Sequence, residues 1–375
     1  MKTCRLPSPV PASPLSRRDF LKVAALGLGG LALRPWPGLA PLAGPAAALS
    51  LLEFPKAERL GRVFGARTPL KAKADIDSAT VRELGEDEVV PWLSETVGSR
   101  PLWHNKRFVE TGEGYVYAPN LQPVRNQPNA PLKELPNPGG MWAEVTVPYV
   151  DLVLHNPPGR APWLANTPNP RLYYSQVMWV DAIRADEQGR TRYRINERYG
   201  SFGDIFWAAA EAFKPLTAAD LAPIHPEAAD KRVVVNLLGQ TLSCYEGQSE
   251  VYFCQVSTGG KYDREGNPSD KWSTPVGPHN IWRKLVSVHM VGGTVGSGYD
   301  YVGISYTSLF SGEGVAVHST FWHNNFGQVM SHGCVNAQPE DAKWVFRWTT
   351  PAAPYDTGDV TISGDASTKV VVLEG

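Results

Sequence analysis

From Leu51 onward the chain is a succession of short apolar or alternating runs, each cut by Pro, Gly, Asn or Asp. Runs of four to eight residues bounded by turn residues predict strands. In the C-terminal part the runs are Arg232–Leu237, Gln240–Tyr245, Val251–Thr258, Asn280–Trp282, Val286–Met290, Tyr301–Tyr306, Val315–His318, Val360–Ile362 and Lys369–Leu373. Two of them flank Glu246-Gly247-Gln248-Ser249 and predict a hairpin. The period changes to helical only once. Gln338 can cap, Pro339 suits the first helical position, and Glu340 and Asp341 complement the dipole. Ala342, Val345, Phe346 and Thr349 then share one face. Residues 232–375 are therefore read as a β-rich domain whose one helix follows directly on Cys334.

Upstream, Glu83–Pro91 predicts strand, turn and strand. Two segments end alike: Gly114–Val124 and Ile205–Leu216 both run aromatic, small residue, short turn, apolar, polar, Pro, apolar, with two extra residues in the second. This predicts two similar small β modules, at 57–124 and 142–217. A Pro/Asn-rich linker (Leu121–Gly140) joins them, and a second linker (Thr217–Asp230) leads to the C-terminal domain. The modules resemble bacterial SH3-like modules. The fold expected is mainly β throughout.

The first 48 residues have another character. Ser16-Arg17-Arg18-Asp19-Phe20-Leu21-Lys22 precedes the apolar run Val23–Leu33, and Pro45–Ala48 offers small residues for cleavage. A charged start, a short apolar middle and a small-residue end make a secretory leader, and the twin arginine points to the route that exports folded proteins. The apolar run of about eleven residues is too short to cross roughly 30 Å of hydrocarbon. The mature chain is expected to start near Leu49 and to lack a transmembrane span; an uncleaved anchor is the alternative.

Composition narrows the function classes. The 33 Pro and 35 Gly suit many short strands and turns. Formal net charge is −1; residues 1–48 hold six basic and one acidic residue, which leaves 30 basic and 36 acidic downstream, about −6. No basic patch argues for nucleic acid. Neither GxxxxGK[ST] nor GxGxxG occurs; the nearest stretch, Gly292–Gly298, has the wrong spacing and reads as a hairpin loop or a lid.

Of the four cysteines, Cys4 lies in the leader. Cys244, Cys254 and Cys334 remain, an odd number in a compartment that permits disulfides, so a free thiol is expected. Cys244 and Cys254 flank the hairpin turn in offset positions and are read as buried reduced cysteines, with a disulfide as the alternative.

The chemistry concentrates in Ala316–Asn336. A catalytic cysteine attacks as thiolate and needs a base and positive potential nearby. His332 and His318 are imidazoles nearby in sequence, and the coming helix aims its N-terminus back toward Cys334. Gly333 permits a tight turn, so the N–H groups of Gly333 and Cys334 can face a developing oxyanion. Ser331-His332-Gly333-Cys334-Val335-Asn336, with Val317-His318 upstream and a spacer of twelve residues, resembles the active-site signature of the L,D-transpeptidases, the YkuD-type fold. Ser273-Thr274-Pro275-Val276-Gly277 is similar to the family's Thr-Pro-x-Gly turn, although Pro278-His279 follows where an aromatic is common.

The resemblance implies roles over roughly 232–375. Cys334 is the nucleophile and His318 its base, the Ser319 carbonyl orients the imidazole, and His332, Gly333 and Cys334 form the oxyanion environment. Trp322, Ser331 and Asn336 shape the donor site. It implies a metal-free enzyme, with no cofactor, that cuts a peptidoglycan tetrapeptide after its third residue, releases D-Ala and passes the acyl group to an amine. The alternatives are an L,D-carboxypeptidase with water as acceptor, and a silent wall-binding protein. A zinc site of His318, His323, His332 and Cys334 would have the layout H-x4-H-x8-H-x-C, which matches no common one. His104, His279 and His289 read as surface or hydrogen-bonded structural residues.

Overall fold

The computed structural model describes residues 51–100, 105–167, 169–260, 272–292, 298–312, 314–364 and 366–375. The segment expected to be a leader, Cys4, His104 and most of Gly292–Gly298 lie outside them. The described chain is mainly β, with one α-helix and several short 3₁₀ turns.

Strands β1 (Leu60–Val63), β2 (Thr68–Lys71), β3 (Thr80–Leu84), β4 (Val89–Pro91), β5 (Ser94–Val97), β6 (Arg107–Glu110), β7 (Tyr115–Tyr117) and β8 (Leu121–Val124) form a first unit. The expected strand–turn–strand at Glu83–Pro91 is present, but its strands pair apart, β3 with β2 and β4 with β1. A second unit comprises β9 (Met141–Val145), β10 (Tyr149–Asp151), β11 (Val153–Leu154), β12 (Arg171–Tyr173), β13 (Val177–Ala185), β14 (Thr191–Asn196), β15 (Ile205–Ala209) and β16 (Phe213–Pro215). Their shared sequence ending has a shared backbone. In each, a strand runs into a three-residue 3₁₀ turn, Ala118–Asn120 or Ala210–Ala212, and out into the last strand. The residue before the turn has φ/ψ of −61°/118° in one and −62°/119° in the other. The pairing also matches: the sheet orders β4-β1-β8 and β13-β9-β16 put the first strand beside the last in both units.

The C-terminal part holds β17 (Lys231–Asn236), β18 (Thr241–Glu246), β19 (Ser249–Gln255), β20 (Gly277–Asn280), β21 (Arg283–Gly292), β22 (Tyr299–Leu309), β23 (Ala316–Ser319), β24 (Val335–Ala337), helix α1 (Pro339–Trp348), β25 (Asp359–Thr361) and β26 (Lys369–Leu373). They make two five-stranded sheets, β19-β18-β17-β26-β20 and β24-β23-β22-β21-β25. Alternation buries one face of each: Val233, Val235, Leu242, Val370 and Val372 meet Val286, Tyr306, Val317 and Val335 in one core. Helix α1 adds Ala342, Val345, Phe346 and Trp348. Its start is as expected at Pro339, but the Gln338 side chain makes no cap bond. At its other end the buried Lys284 ammonium donates to the carbonyls of Phe346 (2.5 Å), Thr349 (2.7 Å) and Pro351 (2.6 Å).

The hairpin β18–β19 closes with Glu246 opposite Ser249. Cys244 sits opposite Tyr252 and Cys254 opposite Leu242, so the two thiols are offset; both are free and buried. The second unit packs on the sheet that holds β22. Val302 of β22 joins its core, Trp142 and Trp179 join the C-terminal core, and Ser305 Oγ donates to the Ser175 carbonyl at 3.0 Å.

Candidate active site

β23 and β24 run parallel in the register Val317↔Val335, His318↔Asn336, Ser319↔Ala337. Since side chains alternate, Val317 and Val335 enter the core while His318 and Asn336 share the other face, and Cys334, two residues before Asn336, precedes it on that side. β24 was not expected from the sequence. It separates Cys334 from α1 by three strand residues, roughly 10 Å of chain. The helix dipole fades within its first turn, so it is not what activates the thiol.

His318 is buried, at 2% exposure, and its Nδ1 lies 2.8 Å from the Ser319 carbonyl oxygen. A carbonyl only accepts, so Nδ1 carries the proton and Nε2 keeps its lone pair. Burial holds the imidazole down at about 4 against the weaker opposing pull of the Ser319 carbonyl. The Ser319 hydroxyl is tied to the Ser305 hydroxyl at 2.6 Å, which anchors β23 to β22. Cys334 is half-buried. Its surroundings push the thiol up to about 11, opposed by a hydrogen bond with the Ala316 backbone, and the thiol faces the Gly314 carbonyl at 3.8 Å. At neutral pH the site thus rests as thiol and neutral imidazole.

The turn before Cys334 is held from three sides. Gly333 has φ of +118°, a region L side chains rarely adopt. Its N–H donates to Ser331 Oγ at 3.1 Å, and the Ser331 hydroxyl donates in turn to the Cys334 carbonyl. This engages the Gly333 N–H within the turn. Thr274, from the turn flagged in the sequence, donates its hydroxyl to the Gly333 carbonyl at 2.8 Å and accepts the Gly259 N–H at 2.9 Å. Gly259 is so close that an added Cβ would lie 2.7 Å from Gly333 Cα. His332 is exposed, its ring edge-on to Trp272 at 4.3 Å.

Cys334, His318, His332, Ser331, Trp322 and Asn336 all line one cavity of about 180 Å³. Ser319 and Gly333 stand behind it. Gly298 and His323 also line it, as do Met290, Tyr299, Tyr301 and Met330, which were not singled out from the sequence. The alternation of β21 and β22 could not tell which face of their hairpin meets the site. Asn336 is bonded to His323 Nε2 at 2.9 Å, and the Asn325 N–H donates to His323 Nδ1 at 3.3 Å. Burial keeps His323 neutral, down to about 3. The Asn336 amide nitrogen faces Nε2, while its Oδ1 is buried without a hydrogen-bond partner among the described residues.

Trp322 stacks on Tyr301 at 4.2 Å and stands 5.8 Å from the His318 ring. Its loop is braced by the first unit: buried Arg62 donates to the Phe321 carbonyl at 2.9 Å and is itself paired to Asp87 at 2.6 Å. Among the described residues no three His, Cys, Asp or Glu side chains converge to hold a metal ion. His279 meets the Pro275 carbonyl at 2.9 Å, and His289 lies between Glu197 and Asp300.

Residues 230–372 match the family model described as YkuD, L,D-transpeptidase catalytic domain, which places such a domain in this part of the chain. A search of curated proteins gave no match. Solved structures that resemble the chain include the Ldtfm–avibactam carbamoyl enzyme, at 21% identity over 40% of this chain and 51% of that one, TM-score 0.29. The NMR structure of the Enterococcus faecium L,D-transpeptidase catalytic domain shares 21% identity over 38% of this chain and 97% of that one, TM-score 0.28. L,D-transpeptidase 3 of Mycobacterium tuberculosis with a faropenem-derived adduct shares 17% over 53% of this chain and 91% of that one, TM-score 0.30. The chain spans about half the length of the first of these.

Proposed function

We propose that the protein is an extracytoplasmic peptidoglycan L,D-transpeptidase that works through an acyl-enzyme on Cys334. One observation carries this reading: the β23–β24 register brings His318, with its lone pair on Nε2, into the same cavity as the Cys334 thiol. His318 Nε2 takes the thiol proton as sulfur attacks the carbonyl of the third stem residue. The S–C bond forms, the C–N bond to the terminal D-Ala breaks, and the proton passes to the leaving amine. An acceptor amine then attacks the thioester, the C–S bond breaks, and the amine proton returns through His318 to sulfur.

His332 and the Cys334 N–H take the developing oxyanion, since the Gly333 N–H is engaged by Ser331. Trp322 and Asn336 line the donor site, while Ser331 acts by fixing the turn. The two N-terminal units are read as copies of one SH3-like module, supported by their common strand–3₁₀–strand ending. Export rests on the twin-arginine leader of residues 1–48.

The test is incubation of the purified protein with disaccharide-tetrapeptide, followed by mass spectrometry. Loss of D-Ala with cross-linked dimers is expected. Loss of D-Ala without dimers makes it a carboxypeptidase. No D-Ala loss, or adducts that persist in Cys334→Ala, overturns the reading.

A further inference from the structure

The stacked Tyr301–Trp322 pair stands in the walls of two cavities. The one holding Cys334 measures about 180 Å³. That is below the roughly 300–1,000 Å³ usual for a ligand pocket, so a substrate bound at the thiol extends past it. The second cavity, about 340 Å³, begins on the same two rings. All three β units build it: Phe64 and Glu86 come from the first, Trp163 and Tyr173 from the second, and Asp300 from β22.

Its charges are mostly committed. Arg62 and Arg171, which also line it, are both paired to Asp87, and Arg171 to Asp151 as well. Asp300 is held by His289 and by the Trp163 N–H at 2.8 Å. Glu86 is exposed and makes no side-chain hydrogen bond or ion pair with the described residues. The wall is therefore a set of aromatic rings edged by fixed, planar guanidinium and carboxylate groups. A pyranose presents the complementary surface, with C–H groups on its faces and hydroxyl or acetamido groups around its rim. A simple cation fits less well, because two guanidinium groups line the same wall.

We infer that this cavity is a glycan subsite that takes an amino-sugar of the strand whose stem peptide is transferred at Cys334. The inference rests on the acyl-transfer reading above. It makes the N-terminal units walls of the substrate site. The path does not stop there: a third cavity of about 470 Å³ shares Thr167 with the second and continues it along the second unit.

Two measurements test it. In Cys334→Ala protein, a peptide-free N-acetylglucosamine–N-acetylmuramic acid disaccharide should quench tryptophan fluorescence saturably, and Phe64→Ala or Glu86→Gln should weaken that binding at least fivefold. In active protein, kcat/KM for disaccharide-tetrapeptide should exceed that for the free tetrapeptide about tenfold. Phe64→Ala and Glu86→Gln should bring the two values together. Acylation of Cys334 by a carbapenem should stay within twofold, which also shows that the variants fold. Absence of disaccharide binding, equal use of both substrates by the unaltered protein, or equal loss on both in the variants overturns the subsite. Disaccharide binding without turnover of either substrate leaves the subsite standing and overturns the acyl-transfer reading.

Discussion

Replacing His318 with alanine separates a general base from a bystander, and the structure sets the size of the effect. The Cys334 thiol is pushed up to about 11 by its surroundings. At pH 7 its thiolate fraction without help is then on the order of one in ten thousand, and it grows about tenfold per pH unit. On the proposed mechanism His318 removes that handicap, its neutral imidazole taking the proton during attack. Its pKa, about 4, means the base is available above that value and is lost as pH falls through it. Carbapenem acylation of unaltered protein, followed by stopped-flow absorbance, should therefore be nearly flat from pH 6 to 9. In His318→Ala it should drop roughly 10²–10⁴-fold at pH 7, the usual contribution of a general base, and rise about a hundredfold between pH 7 and 9. An unperturbed cysteine would recover near 8.5; burial moves the recovery upward. His332→Ala should lower the rate without that slope, since the ring stands at the rim against Trp272. A flat profile for His318→Ala, with its melting temperature intact, would refute the assignment. A slope in His332→Ala alone would exchange the two roles.

Gly333→Ala forces an L residue to φ of +118° and should cost about 1–3 kcal/mol by denaturant unfolding, with loss of acylation, because the strain falls on the residue before Cys334, the proposed nucleophile. Lys284→Met strips three carbonyls in and just past the last turn of α1 of their donor and should cost roughly 2–4 kcal/mol, read as a lower urea midpoint at unchanged slope. On the proposed export route, Arg17→Lys with Arg18→Lys should leave a cytoplasmic precursor detectable by fractionation and immunoblot, and unchanged export would refute that route.

What the sequence determined by itself is local. Six consecutive residues, Ser331 to Asn336, and one upstream histidine carry the resemblance on which the proposed chemistry rests, since a tight turn, a thiol and its supports lie within a few bonds of one another. Helix α1 showed itself because Pro339, its acidic first turn and its apolar spacing are features of one segment. The paired endings of the two N-terminal units were visible for the same reason, each being a contiguous strand–turn–strand. Tertiary structure decided the rest. β24 is only three residues long, too short for a period, and exists because β23 is there to pair with it. That pairing, and not distance along the chain, puts His318 beside Asn336 on the face that Cys334 precedes. The depressed imidazole and raised thiol come from burial by residues far away in sequence, which no motif records. The cavity beyond Tyr301 and Trp322 depends on Arg62 reaching Phe321 across 259 residues of chain, a contact fixed by how three separate β units pack and by nothing in either segment alone.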